Sequence, residues 1–237
     1  MPNDEEKQLL DNIIGGYTPK PAELSRFIDH TILKPNINEK DVIKACDESI
    51  RYNFKSLCVP PCYVELAKKR LGNSNTKVIS VVSFPFGYSL PETKKKEARA
   101  LYDLGIDELD IVTNISMIKS KKFNYIEKEI KLLKEAIKIP LKIIVETCYL
   151  DRSEKEAICH ILLKYNIGYI KTSTGFGPKG AEIEDIKLFK SILDDKIKIK
   201  ASGGIRDFEL CVKMIRAGAS RIGSSSSVNI VGKMDVA

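Results

Sequence analysis

The sequence predicts a single-domain α/β fold, a (β/α)8 TIM barrel with a short helical extension at its N-terminus. Three observations lead there. Eight short, β-branched runs alternate with amphipathic stretches along 237 residues, and they begin roughly every 28 residues, about the length of one βα unit. Hydrophobic residues make up 43% of the chain, enough for one substantial core at a length that barrels often use as one domain. No linker or low-complexity segment interrupts the series. An open doubly wound sheet is the competitor, but it usually shows a G-x-G-x-x-G turn after its first strand. Here "FIDHTIL" is followed by "KPNINEKD" instead.

Taken in order, residues 1–20 form an extension expected to pack as a short helix against the barrel bottom, and the barrel spans 21–237. Strands are expected at "FIDHTIL" (27–33), "FKSLCV" (54–59), "KVISVVSF" (77–84), "ELDIVTN" (108–114), "LKIIVET" (141–147), "YIKTSTG" (169–175), "KIKASGG" (198–204) and "RIGSSS" (221–226). The segments between them read as helices. The stretch 38–52 opens on an Asn cap, 89–105 closes on a Gly, and 151–168 both opens on a cap and closes on a Gly.

The net charge of +7 comes mostly from lysines in helix-like segments such as "TKKKEARA" (93–100) and "KSKKFNYIEKEIKLLKEAIK" (119–138). Glu residues interleave with them, the pattern of a solvated face. No aromatic-plus-basic cluster accompanies the charge, which argues against a nucleic-acid or membrane partner. A modest positive field would still help collect an anionic substrate. The six cysteines, Cys46, Cys58, Cys62, Cys148, Cys159 and Cys211, show neither zinc spacing nor a small disulfide framework. The opening "MPNDEEKQLLDN" is acidic and polar rather than a secretory signal, and no apolar run approaches a membrane span. A cytoplasmic, reduced protein is the expectation.

Two strands place a lysine where the chain should leave the core: "YIKTSTGFGPKG" (169–180) and "IKIKASGG" (197–204). Side chains alternate along a strand, so Tyr169, Lys171 and Ser173 share one face and Ile170 takes the other. Lys198 and Lys200 likewise oppose Ile197, Ile199 and Ala201, and Asp110 opposes Leu109 and Ile111. A strand lysine is ordinarily an edge residue or an outward side chain reaching water. A closed barrel has no edges and helices cover its outside, so Lys171, Lys200 and Asp110 are expected to point inward near the C-terminal strand ends, where barrel active groups sit. Two inward lysines repel each other, which a fold tolerates where function requires it. Asp110 alone could simply pair with a lysine.

That grouping suits carbonyl chemistry. An amine must be neutral to attack, and at a reference pKa of about 10.4 only about one lysine in 2500 is neutral at pH 7. Burial and a neighbouring cation both lower it, and Lys200 supplies the cation for Lys171. Asp110 can then carry protons during dehydration and enamine formation. Lysine, lysine and aspartate make a Schiff-base site. After strands six, seven and eight come "TGFG" (174–177), "GGIR" (203–206) and "GSSSS" (223–227). Each is a weak signal singly, but consecutive glycine loops with serines favour a phosphate pocket at the usual place in a barrel. Its candidate residues are Thr174, Gly175, Gly203, Gly204, Gly223, Ser224 and Ser225. The substrate class indicated is a phosphorylated carbonyl compound.

The sequence also resembles the deoxyribose-phosphate aldolase family from about residue 26 to 231. The likeness rests on "IDHTILKP" (28–35), "VISVVSFPFG" (78–87), "DELDIVTNI" (107–115), "KIIVETCYL" (142–150), "IKTSTGFGPKGA" (170–181), "IKASGGIRD" (199–207) and "RIGSSSSVNIV" (221–231). The resemblance implies a class I aldolase that cleaves 2-deoxy-D-ribose 5-phosphate into acetaldehyde and D-glyceraldehyde 3-phosphate. It implies Lys171 as the Schiff-base lysine, Asp110 as proton donor and acceptor, and Lys200 as the lysine that tunes the first. It adds Cys58 beside the substrate and Asp29, Thr31 and Lys142 as supporting polar groups. Two departures stand out. Some family members end in a tyrosine tail that reaches the site, whereas residues 231–237 here read "VGKMDVA". The loop "FGPKGAE" carries Lys179 and Glu182 where the family leads one to expect glycine and threonine.

A metal-dependent reaction would need several His or acidic ligands. The only histidines are His30, which falls on the opposite strand face from Asp29, and His160, in a helix pattern. No metal or cofactor is therefore expected. Another phosphate-binding TIM-barrel lyase or isomerase is the nearer rival, since its glycine loops would look alike. A non-catalytic sugar-phosphate sensor would keep the glycines but has no reason to retain both lysines and Asp110. The expected partner is a small sugar phosphate, and a homo-oligomer, dimer or tetramer, is compatible with the sequence.

Overall fold

Alternation along eight extended runs builds the barrel. The computed structural model describes residues 4–232, with strands β1 (Ile28–Thr31), β2 (Ser56–Cys58), β3 (Lys77–Val82), β4 (Glu108–Val112), β5 (Leu141–Ile144), β6 (Tyr169–Lys171), β7 (Lys198–Ser202) and β8 (Arg221–Ser224). All pairings are parallel and follow chain order, and β8 closes onto β1. The (β/α)8 barrel expected from the sequence is the observed fold. The expected runs outlast the ladders in part because the chain turns left-handed just past β3 and β5, at Ser83 (φ 54°) and Glu146 (φ 50°). The Thr172 N–H, one residue past β6, still donates to the Lys200 carbonyl at 3.1 Å. The last residues of "VGKMDVA", beyond Gly232, lie outside the described residues.

Outward strand residues such as Leu109, Ile111, Ile143, Ile170 and Ile199 are buried beneath the surrounding helices. Each such side chain contributes about 1.5–3 kcal/mol on burial. The covering helices are α3 (Glu39–Arg51), α4 (Val64–Leu71), α5 (Pro91–Asp103), α6 (Ile115–Lys119), α7 (Phe123–Ala136), α8 (Arg152–Lys164), α9 (Ile183–Leu193), α10 (Phe208–Arg216) and α11 (Ser227–Val231). Ahead of β1 come α1 (Asp4–Ile14) and the short α2 (Pro21–Leu24). α1 packs on α10, buries Ile13, and reaches the strands' N-terminal end through Glu6, 2.6 Å from Lys55. Among the described residues no helix is long and apolar enough to cross a membrane.

Helix ends follow the capping chemistry, with three corrections to the sequence reading. Asn38 opens α3, its side chain accepting from the Lys40 N–H at 2.9 Å while Asp41 accepts from the Asn38 N–H at 2.9 Å. Asp151 opens α8 in the same manner, but α8 stops at Lys164 and left-handed Asn166 (φ 48°) turns the chain before Gly168. The basic stretch 119–138 is not one helix, because Lys121 (φ 55°) separates α6 from α7. Lys94, within a stretch expected to be a solvated face, is wholly buried on α5.

Candidate active site

The barrel interior is charged where such barrels are usually filled by Val, Ile and Leu. Parity decides this. Asp29, Ser56, Glu108, Asp110, Lys142, Lys171, Lys200 and Arg221 occupy inward positions and are all buried. The register sets Asp110 beside Lys142 and Lys171 beside Lys200. At the centre the Lys171 and Lys200 ammonium nitrogens both bond Asp110 Oδ2, at 2.8 and 2.7 Å, and Lys142 Nζ reaches Asp110 Oδ1 at 3.1 Å. Lys200 also lies 2.6 Å from Asp29 Oδ2, and Lys142 lies 2.5 Å from Glu108 Oε2. Below, Arg221 joins Asp29 (Nε to Oδ1, 2.8 Å) to Glu108 (Nη1 to Oε1, 3.3 Å), and the Ser56 hydroxyl donates to Asp29 Oδ1 at 2.6 Å.

Four buried cationic side chains, Lys142, Lys171, Lys200 and Arg221, thus face three carboxylates, Asp29, Glu108 and Asp110, and half-buried Lys77 adds a further cation 3.1 Å from Glu108. Cations outnumber carboxylates. Burial disfavours charge on all of them, and the partners decide which group yields. For Lys200 burial is outweighed by Asp110 and Asp29, so its pKa rises. For Lys142 burial is outweighed by Asp110 and Glu108, with the same result. Lys171 has one carboxylate, shared with Lys200. Burial first, with the Lys200 charge added, overcomes Asp110 and lowers its pKa. The Asp110 carboxyl, which burial alone would push up, is held well below its usual range by Lys142, Lys171 and Lys200. The site therefore holds an ionised aspartate, a fixed ammonium and a lysine disposed to lose its proton.

Above Lys171, at the C-terminal strand ends, opens a cavity of about 810 Å³. Its wall includes Lys171, Thr31, Thr174, Gly175, Gly203, Gly204, Gly223, Ser224 and Ser225, with Lys34, Lys44 and Arg206 adding positive charge. Asp110, Lys200, Asp29 and Lys142 lie beneath it. Cys58 joins Ile79 and Val81 in a small apolar cluster inside the barrel. Burial, followed by the Asp110 charge, pushes its thiol up to about 11, so it is protonated at neutrality. The Thr31 hydroxyl donates to the Asp29 carbonyl at 3.0 Å. The Ser224 hydroxyl donates to the Ile205 carbonyl (2.7 Å) and accepts from the Ser226 N–H (2.9 Å), which holds the loop after β8 in shape. His30 lines the cavity and its ring bonds Glu48 at 3.1 Å. Lys179 and Glu182 pair with each other at 3.2 Å in solvent.

No protein-family model matches the chain. Among curated proteins, the deoxyribose-phosphate aldolase of Finegoldia magna is 46% identical over 210 residues, 88% of this chain and 99% of that one. The chain belongs to the deoxyribose-phosphate aldolase family. The deoxyribose-phosphate aldolase of Treponema denticola is 47% identical over 212 residues, 88% of this chain and 98% of its own. A tetrameric deoxyribose phosphate aldolase of Aeropyrum pernix, 28% identical over 97% of each chain, superposes with a TM-score of 0.81. Membership of the deoxyribose-phosphate aldolases does not favour the rival phosphate-binding isomerase.

Sequence reasoning missed Glu108, Arg221, Ser56 and Glu146. The first three carried a signal, since they precede Asp110, Gly223 and Cys58 by two residues and so share their inward face. Glu146 shares the parity of Lys142, but it lies past the end of β5 in a left-handed conformation (φ 50°), uncommon for a residue other than glycine, which only the folded backbone reveals.

Proposed function

We propose that this class I aldolase cleaves 2-deoxy-D-ribose 5-phosphate reversibly into D-glyceraldehyde 3-phosphate and acetaldehyde through an imine on Lys171. The barrel at 21–237 would carry the reaction and residues 1–20 would serve as its extension. The observation that carries the reading is the lysine of lowered pKa at the cavity floor, sharing the Asp110 carboxylate with a lysine that stays charged.

In this mechanism neutral Lys171 attacks the aldehyde carbon, the carbinolamine loses water, and a protonated imine forms. The C3 hydroxyl gives up its proton, the C2–C3 bond breaks, and its electron pair moves into the iminium to leave an enamine. Glyceraldehyde 3-phosphate departs. A proton returns to C2, and water releases acetaldehyde and the free amine. Asp110, 2.8 Å from Lys171, serves as the proton carrier, and Lys200, 2.7 Å from the same carboxylate, stays charged and tunes Lys171. The glycine loops after β6, β7 and β8, with Lys34 and Arg206 nearby, suit the phosphate. The ligand is a small sugar phosphate arising in deoxyribonucleotide breakdown, no cofactor takes part, and the chain works in the cytoplasm as a homo-oligomer.

Borohydride added with acetaldehyde should fix one adduct on the peptide containing Lys171. An adduct on Lys200 instead would exchange the roles of the two lysines, and no adduct at all would rule out imine chemistry.

A further inference from the structure

Glu146 lies outside the lysine–aspartate network yet is 2% exposed and has no ion-pair partner among the described residues. Its left-handed backbone turns the side chain toward the loop that follows Lys171. There the carboxylate accepts the Thr174 N–H at 3.2 Å and also the Thr174 hydroxyl. The same Thr174 oxygen accepts the Phe176 N–H at 3.0 Å. Phe176 in turn sets its ring edge-on to Phe84, with centroids 5.4 Å apart. Farther along the loop, the Ala181 N–H donates to the Gly203 carbonyl at 3.1 Å, tying it to the glycine turn after β7.

Thr174 presents two donors to one side chain, and a carboxylate answers both because it is acceptor-only. A glutamine would turn an N–H₂ toward one of them. Strain in the Glu146 backbone and burial of an unpaired carboxylate both oppose this arrangement, so it persists for what it holds. We propose that Glu146 is a positioning residue that clamps the loop 174–177 against the cavity and thereby shapes the wall that receives the phosphate. This rests on the imine aldolase reading above. The clamp acts through Thr174, and although the carboxylate feels the Lys171 charge it makes no ion pair with that lysine.

The test compares the intact wild-type chain with Glu146→Gln, using deoxyribose 5-phosphate, free deoxyribose, and borohydride trapping with acetaldehyde. Glu146→Gln should lower kcat/KM for the phosphate ester about tenfold, chiefly through KM, because the loop no longer holds its binding geometry. Free deoxyribose should change by less than about twofold, and acetaldehyde should still be trapped on Lys171 at the wild-type rate. Equal losses on ester and free sugar, or no loss on either, would overturn the clamp. If Glu146→Gln does not fold, Glu146→Asp and Glu146→Ala ask the same question. Aspartate keeps an acceptor-only carboxylate and should lose less ester preference than alanine, and identical behaviour of the two would also refute the proposal. Absence of any adduct in the wild-type chain would instead sink the imine reading, independently of the clamp.

Discussion

Two buried lysine–carboxylate groups lie on opposite sides of β4, and they differ in stoichiometry. Outside the barrel, Lys94 on α5 meets Glu129 on α7 at 2.6 Å, and both side chains are essentially unexposed. Lys94 also donates to the Val112 carbonyl at 2.8 Å, and the Thr113 hydroxyl donates to the other Glu129 oxygen at 3.0 Å. One cation meets one anion, and the remaining hydrogen bonds are made to the end of β4. Inside the barrel, Asp110 is shared by Lys142, Lys171 and Lys200. Burial of a lysine is common to both places, and burial lowers the pKa of Lys94 as it does that of Lys171. The difference is the excess of cations over carboxylates. A matched pair is a strut, whereas an oversupplied carboxylate favours loss of the proton from one lysine.

The comparison breaks most sharply at Lys171. Lys171→Leu should lower kcat by about 10⁴-fold or more, about 5 kcal/mol in barrier height, with no borohydride adduct. Its thermal midpoint should stay at or above the wild-type value, since the crowded cation is the one removed. Retained turnover would show that another amine does the chemistry. At the strut the expectation reverses. Lys94→Met should cost about 3–5 kcal/mol of stability, because Glu129 is left buried without its partner. Folded Lys94→Met protein should still form the imine, and adding Glu129→Leu should recover part of the loss in denaturant unfolding. A stable single mutant would mean that the buried pair supports nothing.

Within the barrel, Lys200→Leu removes the neighbouring cation and leaves Asp110 more fully to Lys171. Both changes favour the charged form of Lys171, so its pKa rises and a larger share is protonated at neutrality. The kcat near pH 7 should fall about 10²-fold, with activity recovering only as pH rises through the new value. An unshifted pH profile with a raised KM would make Lys200 a substrate ligand instead. The smallest effect separates two glycines. Gly204 is left-handed (φ 78°) with nothing within 4 Å of an added Cβ, so Gly204→Val should strain the turn and reduce kcat/KM for the phosphate ester about tenfold more than for free deoxyribose. At Gly223 an added Cβ would meet Ser202 Cβ at 2.9 Å and Lys200 Cε at 3.0 Å. Gly223→Val should therefore harm both substrates alike, and a loss confined to the ester would show that Lys200 yields without consequence.

Period-two alternation with turn chemistry was enough, from the sequence by itself, to specify eight parallel strands and to send Lys171, Lys200 and Asp110 into one interior. Both depend on residues close in the chain, where parity and capping act locally. Applied throughout, the same rule would have reached Glu108 and Arg221. Which charges meet was decided by tertiary structure alone. Arg221 finds Asp29 across 192 positions of chain, and Lys200 finds Asp110 across 90. Barrel closure and stagger bring these pairs together, and neither has a local signature. The same holds for Lys94, whose lysine-rich helix looks solvated until α7 delivers Glu129, and for Glu146, whose left-handed backbone and bonds to Thr174 exist only in the folded chain. Proton excess is a property of the assembled interior, since a pKa answers to every charge within a few ångströms and a sequence does not record those distances.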